Sequence, residues 1–268
     1  MNTLIIIPAR YGSTRFPGKP LATIAGQTML SRVVQLAKIA TQNQPNIMLA
    51  VATDDTRILE HCDNLDVQAI MTPTTCNTGT DRALAAMHAL NITPDFILNL
   101  QGDVPLMPPA FITALLDEIT SNPKLSMLTP VTQLSWEDLD NLREHKKITP
   151  FSGTCAILDK NNNAVWFSKN IMPAIRGEAS YRENTRLSPI FRHIGLYAYA
   201  RTLLEQYVTW PPSHYEQLEG LEQLRVLEQG HAIRCVPVHS DRPIPSGIDS
   251  PEDLKRAEAL LATYGELA

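Results

Sequence analysis

A basic, glycine-containing loop follows directly after an apolar run near the N-terminus, and its residues could bind phosphate. Residues 4–7 (Leu-Ile-Ile-Ile) are typical of a buried parallel strand. The loop over residues 8–20 then contains three cations and two glycines, namely Arg10, Arg15, Lys19, Gly12 and Gly18. Glycines let a backbone approach a ligand closely, and Arg and Lys neutralise its charge. The pattern therefore predicts a site for the phosphates of a nucleotide.

Two common phosphate-binding loops are excluded by the spacing of this segment. Gly12 and Gly18 are one residue too far apart for a Walker A loop, and Pro20 stands where that loop needs Ser or Thr. The segment does not match the G-x-G-x-x-G dinucleotide loop either. Pro17 and Pro20 instead favour a rigid loop over an immediate helix start.

Two isolated carboxylates are candidates for holding a metal ion. Asp103 follows Gly102 at the end of the predicted strand 96–100, where a carboxylate is well placed to hold Mg²⁺ against nucleotide phosphates. Taken alone, it could equally be a structural aspartate. Asp249 could complete a two-carboxylate site, or either it or Ser250 could cap the predicted helix 251–264, which has Pro251 in its first turn.

Four further polar residues each allow a functional and a structural interpretation. Arg82 could face phosphates or base from a helix over residues 80–90 capped by Thr80 or Asp81, or it could be a surface arginine beside a capping box. His193 could bind a ligand or be a satisfied core histidine. Glu222 and Gln223 lie on a predicted helix over residues 215–229, where a polar pair is usually a solvated face.

The order of strand and helix patterns predicts an α/β fold. Strands and helices alternate over the first hundred residues, which indicates a mostly parallel sheet with helices on both faces and ligands beyond the carboxyl ends of the strands. The middle of the chain instead predicts antiparallel strands over residues 127–131, 154–158, 164–167 and 193–199. We therefore expect one domain over residues 1–268, with residues 125–188 as an inserted subregion.

Composition excludes several classes of protein. The 268 residues are 44% hydrophobic and 19% charged, as in ordinary soluble proteins, and no apolar run approaches the roughly 18 residues of a membrane span. A net charge of -5 predicts no nucleic-acid or anionic-membrane partner. The four scattered cysteines argue against a zinc site or a disulfide framework. With no signal-peptide pattern at the N-terminus, we expect a cytoplasmic protein.

Seven segments, in order and spacing, resemble one family: the 3-deoxy-manno-octulosonate (Kdo) cytidylyltransferases, or CMP-Kdo synthetases. The segments are residues 8–21, 51–55, 79–82, 101–103 (Gln-Gly-Asp), 192–197, 221–227 (Leu-Glu-Gln-Leu-Arg-Val-Leu) and 247–254. They extend over nearly the whole chain, and the first segment together with Leu-Glu-Gln-Leu-Arg is highly specific.

The resemblance implies a nucleotide-diphospho-sugar transferase fold and a cytoplasmic, Mg²⁺-dependent homodimer. Its reaction joins CTP to the anomeric hydroxyl of Kdo, releases pyrophosphate and feeds lipopolysaccharide or capsule synthesis. The hydroxyl attacks the α-phosphorus in line with the departing pyrophosphate, so catalysis rests on positioning and charge neutralisation without a covalent enzyme intermediate.

The resemblance also implies a role for each matching residue. Catalysis is assigned to Arg15, Lys19 and Asp103. Nucleotide binding is assigned to Pro8, Ala9, Arg10, Arg15, Lys19, Arg82, Gln101 and Asp103. Sugar binding is assigned to Gln101, Lys169, His193, Tyr197, Glu222 and Gln223. Metal binding is assigned to Asp103 and Asp249.

The chain departs from the family's pattern mainly in segments that the family uses for the acceptor. Val104 replaces the Glu of Gln-Gly-Asp-Glu-Pro, and the segment 74–78 before Gly79 lacks the His that the family usually carries there. The Asn-Pro-Asn-x-Val-Lys-Val-Val run is missing and residues 145–154 stand in its place, while Lys169 replaces an Arg. The acceptor could therefore be Kdo, 8-amino-Kdo or a sialic-type acid, and a CTP-binding relative without catalysis is a further alternative.

Overall fold

The computed structural model describes residues 1–12, 16–42, 44–243 and 247–266. The strands are β1 (Thr3–Pro8), β2 (Thr23–Ile24), β3 (Gln27–Thr28), β4 (Ile47–Thr53), β5 (Gln68–Met71), β6 (Phe96–Leu100), β7 (Met127–Ser135), β8 (Cys155–Leu158), β9 (Ala164–Ser168), β10 (Leu187–His193), β11 (Leu196–Ala200) and β12 (Arg234–Pro237). The α-helices are α1 (Met29–Ala40), α2 (Thr56–Asn64), α3 (Gly79–Ala89), α4 (Pro109–Ser121), α5 (Trp136–Ile148), α6 (Glu178–Asn184), α7 (Arg201–Tyr207), α8 (His214–Glu219), α9 (Gln223–Glu228) and α10 (Pro251–Tyr264).

The first of two compact units comprises residues 1–123, 196–208 and 240–268. Its strand order is β5-β4-β1-β6-β11, in which the first four strands are parallel and β11 is antiparallel to β6. Every side chain of residues 4–7 in β1 is buried, which requires that both faces of the strand are covered. Helices α1 and α3 both pack against β1. The expected mostly parallel α/β sheet is therefore confirmed.

The second unit comprises residues 124–195 and 209–239. Its strand order is β12-β7-β10-β8-β9, and all of its pairs are antiparallel except that β12 is parallel to β7. The unit includes the subregion 125–188 of the sequence analysis and extends beyond it. The expectation of antiparallel strands in this part of the chain is confirmed.

Two predicted elements of the sequence analysis are wrong as single elements. The strand expected over residues 193–199 is divided between β10 and β11, because the chain leaves the first strand at Ile194 and Gly195. The helix expected over residues 215–229 is divided between α8 and α9. Gly220 adopts a left-handed conformation (φ +62°) that ends α8, and a helix cannot continue through it.

A buried ion pair holds α8 and α9 together across that break. The Arg225 guanidinium lies against the Glu216 carboxylate, with Nε 2.7 Å from Oε2, and both residues are buried. Two short helices therefore replace one long helix, since the break lets the carboxylate and the guanidinium meet.

No helix among the described residues combines the length and the apolar character that crossing a membrane requires.

Candidate active site

The carboxyl ends of β1 and β6 meet the N-terminus of α3 in the first unit. A Cβ on Gly102 would lie only 2.8 Å from the Pro8 carbonyl oxygen, so the turn after β6 needs glycine to pass the end of β1. A Cβ on Gly79 would lie 3.1 Å from Pro8 Cγ and 3.6 Å from Gln101 Oε1. The structure therefore brings together Pro8, Ala9 and Gln101, three residues assigned to the nucleotide.

Tyr11 anchors the basic loop through one backbone hydrogen bond and one contact of its ring. The N–H of Gly18 donates to the carbonyl of Tyr11 at 3.0 Å, and Gly18 has a positive φ of 71°. The Tyr11 ring lies under the Arg57 guanidinium, 3.3 Å from its central carbon. Arg10 is exposed, and Arg15 lies outside the described residues.

Lys19 joins the two carboxylates that the sequence analysis assigned to a metal. Its Nζ donates to Asp103 Oδ2 at 2.9 Å and to Asp249 Oδ1 at 3.1 Å. Lys19 begins a short 3₁₀ turn with Pro20. Residues far apart in the chain thus converge on one ammonium group, and the two carboxylates lie close enough to share one cation.

The local structure before α10 directs Asp249 toward Lys19. Ser250 is the N-cap of α10, since its hydroxyl oxygen accepts from the N–H of Asp253, so the interpretation of Asp249 as the cap is wrong. The N–H of Ile248 donates to the carbonyl of Asp103 at 2.9 Å, which fixes this segment beside the turn after β6. A Cβ on Gly247 would lie 3.2 Å from the Asp103 carboxylate. Glycine is therefore the residue that lets the two segments approach.

The donor set fits Mg²⁺ that takes its remaining ligands from a nucleotide. Mg²⁺ in phosphate-transfer sites is commonly held by one or two carboxylates, with phosphate oxygens and waters completing the shell. Asp103 and Asp249 offer two carboxylates that already meet around a single cation. Within residues 1–12, 16–42, 44–243 and 247–266, no group of three His, Cys, Asp or Glu could hold a metal without such a ligand.

Arg82 is buried, which contradicts its interpretation as a surface arginine. Only 3% of it is exposed, and its guanidinium donates to Asp54 Oδ2 at 2.7 Å and Thr72 Oγ1 at 2.6 Å. The capping box does form, but its N-cap is Thr78 rather than Thr80, with Asp81 as the reciprocal partner. Arg82 therefore fixes the start of α3 beside the segments that follow β4 and β5.

The second unit holds four of the six residues assigned to the sugar: Lys169, His193, Glu222 and Gln223. Glu222 is half-buried, and Gln223 is only 1% exposed, so the interpretation of this pair as a solvated face is wrong. The other two residues, Gln101 and Tyr197, belong to the first unit, where Tyr197 lies on β11.

His193 is buried among the strands of the second unit. The Thr129 hydroxyl donates to the carbonyl of Ile194 at 3.2 Å and lies 2.9 Å from His193 Nε2, so that the ring nitrogen is the donor in the second contact. The Phe167 ring packs edge-on against the imidazole. Burial first, and the positive charges of Lys169 and Arg192 next, lower the pKa of His193 to about 3. His193 is therefore a neutral imidazole at physiological pH.

Lys169 lies beside two residues that the sequence analysis did not identify. Burial lowers the pKa of Lys169, and the negative charge of Glu219 partly opposes that shift. The backbone of Lys169 is hydrogen-bonded to the Glu219 carboxylate and to the Lys146 ammonium. No local sequence signal identifies Glu219. Lys146 lies in the last turn of α5, where a cation is common, and Ser135 with Asp138 marks the start of that helix.

Comparison with known proteins identifies relatives along the whole chain. The family model described as "Cytidylyltransferase" matches residues 4–233. A 3-deoxy-manno-octulosonate cytidylyltransferase of Maricaulis maris is 41% identical over 100% of both chains. An 8-amino-3,8-dideoxy-manno-octulosonate cytidylyltransferase of Shewanella piezotolerans is 36% identical over 98% of this chain and 99% of its own.

A solved structure resembles the fold as well. It is that of a CMP:2-keto-3-deoxy-manno-octonic acid synthetase complexed with CTP, which is 33% identical and has a TM-score of 0.82 over 98% of this chain and 99% of its own. Three observations support the same family: the fold, the contact of Lys19 with Asp103 and Asp249, and an identity of about two residues in five over the full length. This chain belongs to the 3-deoxy-manno-octulosonate cytidylyltransferase family, and it is a nucleotidyltransferase.

Proposed function

We propose that this protein transfers the cytidylyl group of CTP to the anomeric hydroxyl of Kdo and releases pyrophosphate. The observation that carries the proposal is the contact of Lys19, from the basic loop, with both Asp103 and Asp249. A cation and two carboxylates that can hold a metal ion are parts that recur where proteins stabilise the charge of a transferring phosphoryl group. The names of the relatives support Kdo as the acceptor.

On the nucleotide side, Arg10, Arg15 and Lys19 bind the triphosphate. Lys19 is a point charge on a flexible stem, so its ammonium can leave the two carboxylates and reach the phosphates of CTP. It then stabilises the charge that grows on the departing pyrophosphate, together with Arg15. Asp103 and Asp249 would hold Mg²⁺, which would supply positive charge to the phosphates and polarise them.

On the acceptor side, Lys169 supplies the positive charge that the carboxylate of the sugar acid needs. His193 is neutral and contributes hydrogen bonds without charge. Gln101, Tyr197, Glu222 and Gln223 supply further hydrogen-bonding groups for the sugar hydroxyls. Each of these residues therefore acts by positioning the attacking hydroxyl.

The charges around Lys169 favour Kdo over its 8-amino analogue as the acceptor. Lys146, Lys169 and Arg192 act electrostatically on one another or on His193, and the negative charge of Glu219 opposes them only in part, so three cations around this position face one carboxylate. A carboxylate gains from these charges, whereas an ammonium group on the sugar is repelled by them. A role in lipopolysaccharide or capsule synthesis and a cytoplasmic location stay predictions of the resemblance.

We also propose that the protein is a homodimer and that the subregion 125–188 contributes to the interface. Ile148 is 83% exposed and Phe151 is 78% exposed, and both lie in this subregion. Neighbouring exposed apolar side chains of this size are typical of a surface that another protein covers. A second copy of this chain is the occupant that the resemblance implies.

Replacing Phe151 tests the dimer. We expect Phe151→Ser to weaken association, because it removes a large apolar side chain from the interface. The molar mass in solution, measured by light scattering over a dilution series, should fall toward that of a monomer at a higher protein concentration than in the wild type. Leu218→Ser is the matched control, since Leu218 is 67% exposed but lies outside the subregion. A monomeric wild type, or an equal effect of both changes, contradicts this interface.

The buried neutral His193 predicts a pH dependence of stability. The pKa of His193 is about 3 in the folded protein and 6.5 in its reference state, so between these values only the unfolded chain binds the proton. The contribution of the neutral His193 to the free energy of unfolding is fully present above about pH 6.5. It is lost as pH falls toward 3, by about 1.4 kcal/mol per pH unit.

His193→Gln removes this proton-binding difference, so its free energy of unfolding should fall less between about pH 7 and about pH 5 than that of the wild type. Urea titrations at both pH values measure the difference. His88→Gln, at an exposed histidine, is the control and should keep the wild-type pH slope. Equal slopes in the wild type and His193→Gln would contradict the neutral buried imidazole.

Asp103→Asn tests the metal assignment. The substitution keeps the size of the side chain and removes its charge, so we expect turnover to fall about a hundredfold or more while the melting temperature changes little. Pyrophosphate release with CTP, Kdo and saturating Mg²⁺ measures turnover. Asp117→Asn, at an exposed position on α4, is the matched control and should retain full activity. Wild-type rates for Asp103→Asn at saturating Mg²⁺ would exclude Asp103 as a ligand.

A panel of acceptors tests the proposed reaction itself. Pyrophosphate release is measured with CTP and Mg²⁺ in the presence of Kdo, 8-amino-Kdo, N-acetylneuraminate or no sugar. We expect release with Kdo, and much slower release with the other additions. Faster release with 8-amino-Kdo would assign the protein to that acceptor instead. If CTP binds but no acceptor in the panel causes pyrophosphate release, the proposed transfer is rejected.

A further inference from the structure

The backbone of Lys169 is held from two sides in the second unit. Its N–H donates to Glu219 Oε2 at 2.8 Å, and its carbonyl accepts from Lys146 Nζ at 2.5 Å. The hydroxyl of Ser168 donates to the other oxygen of Glu219 at 2.7 Å and accepts from the N–H of Asn170 at 3.0 Å. A carboxylate therefore binds the N–H of Lys169 and an ammonium group binds its carbonyl. Such charge-assisted hydrogen bonds are stronger than those between neutral groups.

The Lys146 ammonium is also fixed by the turn that follows α5. Its three N–H groups are shared among four carbonyls, because Nζ lies 3.3 Å from that of Pro150, 2.5 Å from that of Ser152 and 3.1 Å from that of Gly153, in addition to that of Lys169. Burial, followed by the positive charges of Lys169 and Arg192, lowers the pKa of Lys146. A lysine that is partly desolvated within a ring of carbonyls is a fixed anchor rather than a solvated side chain.

The next lysine of the same helix provides an internal comparison. Lys147 is exposed and pairs only locally with Glu144, with Nζ 2.7 Å from a carboxylate oxygen. Surface pairs of this kind contribute little. Position 146, and not basic charge at the end of α5 in general, is therefore what connects this helix to Lys169.

We propose that Lys146 and Glu219 are positioning residues for Lys169 and thereby set how the carboxylate of the sugar acid is held. The inference rests on the proposed role of Lys169. A lysine binds a carboxylate through one point charge at the end of a flexible side chain. The position of its ammonium group therefore depends on how firmly its backbone is fixed. Lys146 fixes the carbonyl, Glu219 fixes the N–H, and neither needs to touch the substrate.

The test compares five variants with the wild type by steady-state pyrophosphate release, varying Kdo and CTP separately. The variants are Lys169→Met, Lys146→Met, Glu219→Gln, the double variant Lys146→Met/Lys169→Met, and Lys147→Met as the control. We expect Lys146→Met and Glu219→Gln to raise KM for Kdo about tenfold and to leave KM for CTP near the wild-type value. Lys147→Met should match the wild type in both constants.

The double variant separates positioning from general support of the fold. If Lys146 acts through Lys169, removing it from a chain that already lacks the Lys169 ammonium adds nothing, so the double variant should equal Lys169→Met. A merely structural Lys146 would lower the melting temperature and leave KM for Kdo unchanged. Glu219→Gln keeps the side-chain shape, so it decides the question if Lys146→Met unfolds.

The outcomes also separate this inference from the proposed role of Lys169. An unchanged KM for Kdo in Lys169→Met would remove the acceptor assignment and the inference with it. A raised KM in Lys169→Met with a wild-type KM in folded Lys146→Met and Glu219→Gln would overturn the positioning alone. Losses that simply multiply in the double variant would overturn it as well.

Discussion

The contact of the Lys19 ammonium group with the carboxylates of Asp103 and Asp249 holds three separate segments of the first unit together. Asp103 and Asp249 lie on segments that meet at a backbone hydrogen bond, and like charges at this distance repel each other unless a cation lies between them. Lys19 supplies that cation from the basic loop. The same two carboxylates would suit a divalent metal ion, because Mg²⁺ in phosphate sites is commonly held by one or two carboxylates.

The glycines around this contact explain why the segments can come so close. Gly102 passes the Pro8 carbonyl where a Cβ would have no room, and a Cβ on Gly247 would lie 3.2 Å from the Asp103 carboxylate, closer than ordinary van der Waals contact. Ser250 takes the capping role at α10, which leaves Asp249 for Lys19. Backbone geometry and capping chemistry thus select which carboxylates face the cation. The charge arrangement then follows from the fold of the first unit.

Sequence patterns predicted the parts of the structure that depend on local rules. The bounds of α10 follow from Ser250 and Pro251, and β1 follows from a continuous apolar run. Long-range pairs decided the rest. The ion pair of Arg225 with Glu216 needs the break at Gly220, so an amphipathic pattern that reads through the glycine gives one helix where the protein has two. The burial of Arg82 likewise depends on Asp54, which lies 28 residues away along the chain.

The second unit, which carries the proposed acceptor residue Lys169, keeps several cationic side chains partly or wholly buried. Burial lowers the pKa values of Lys146, Lys169 and Arg192, which means that the fold keeps cations where water solvates them poorly. A carboxylate ligand offsets that cost, whereas a neutral sugar does not. In its proposed role, Lys169 would hold such a carboxylate through a single ammonium group, without the two parallel hydrogen bonds that a guanidinium can donate. On that proposal, the orientation of the acid would come from its hydroxyl contacts and from the fixed backbone of Lys169, so discrimination between acids would be distributed over several residues.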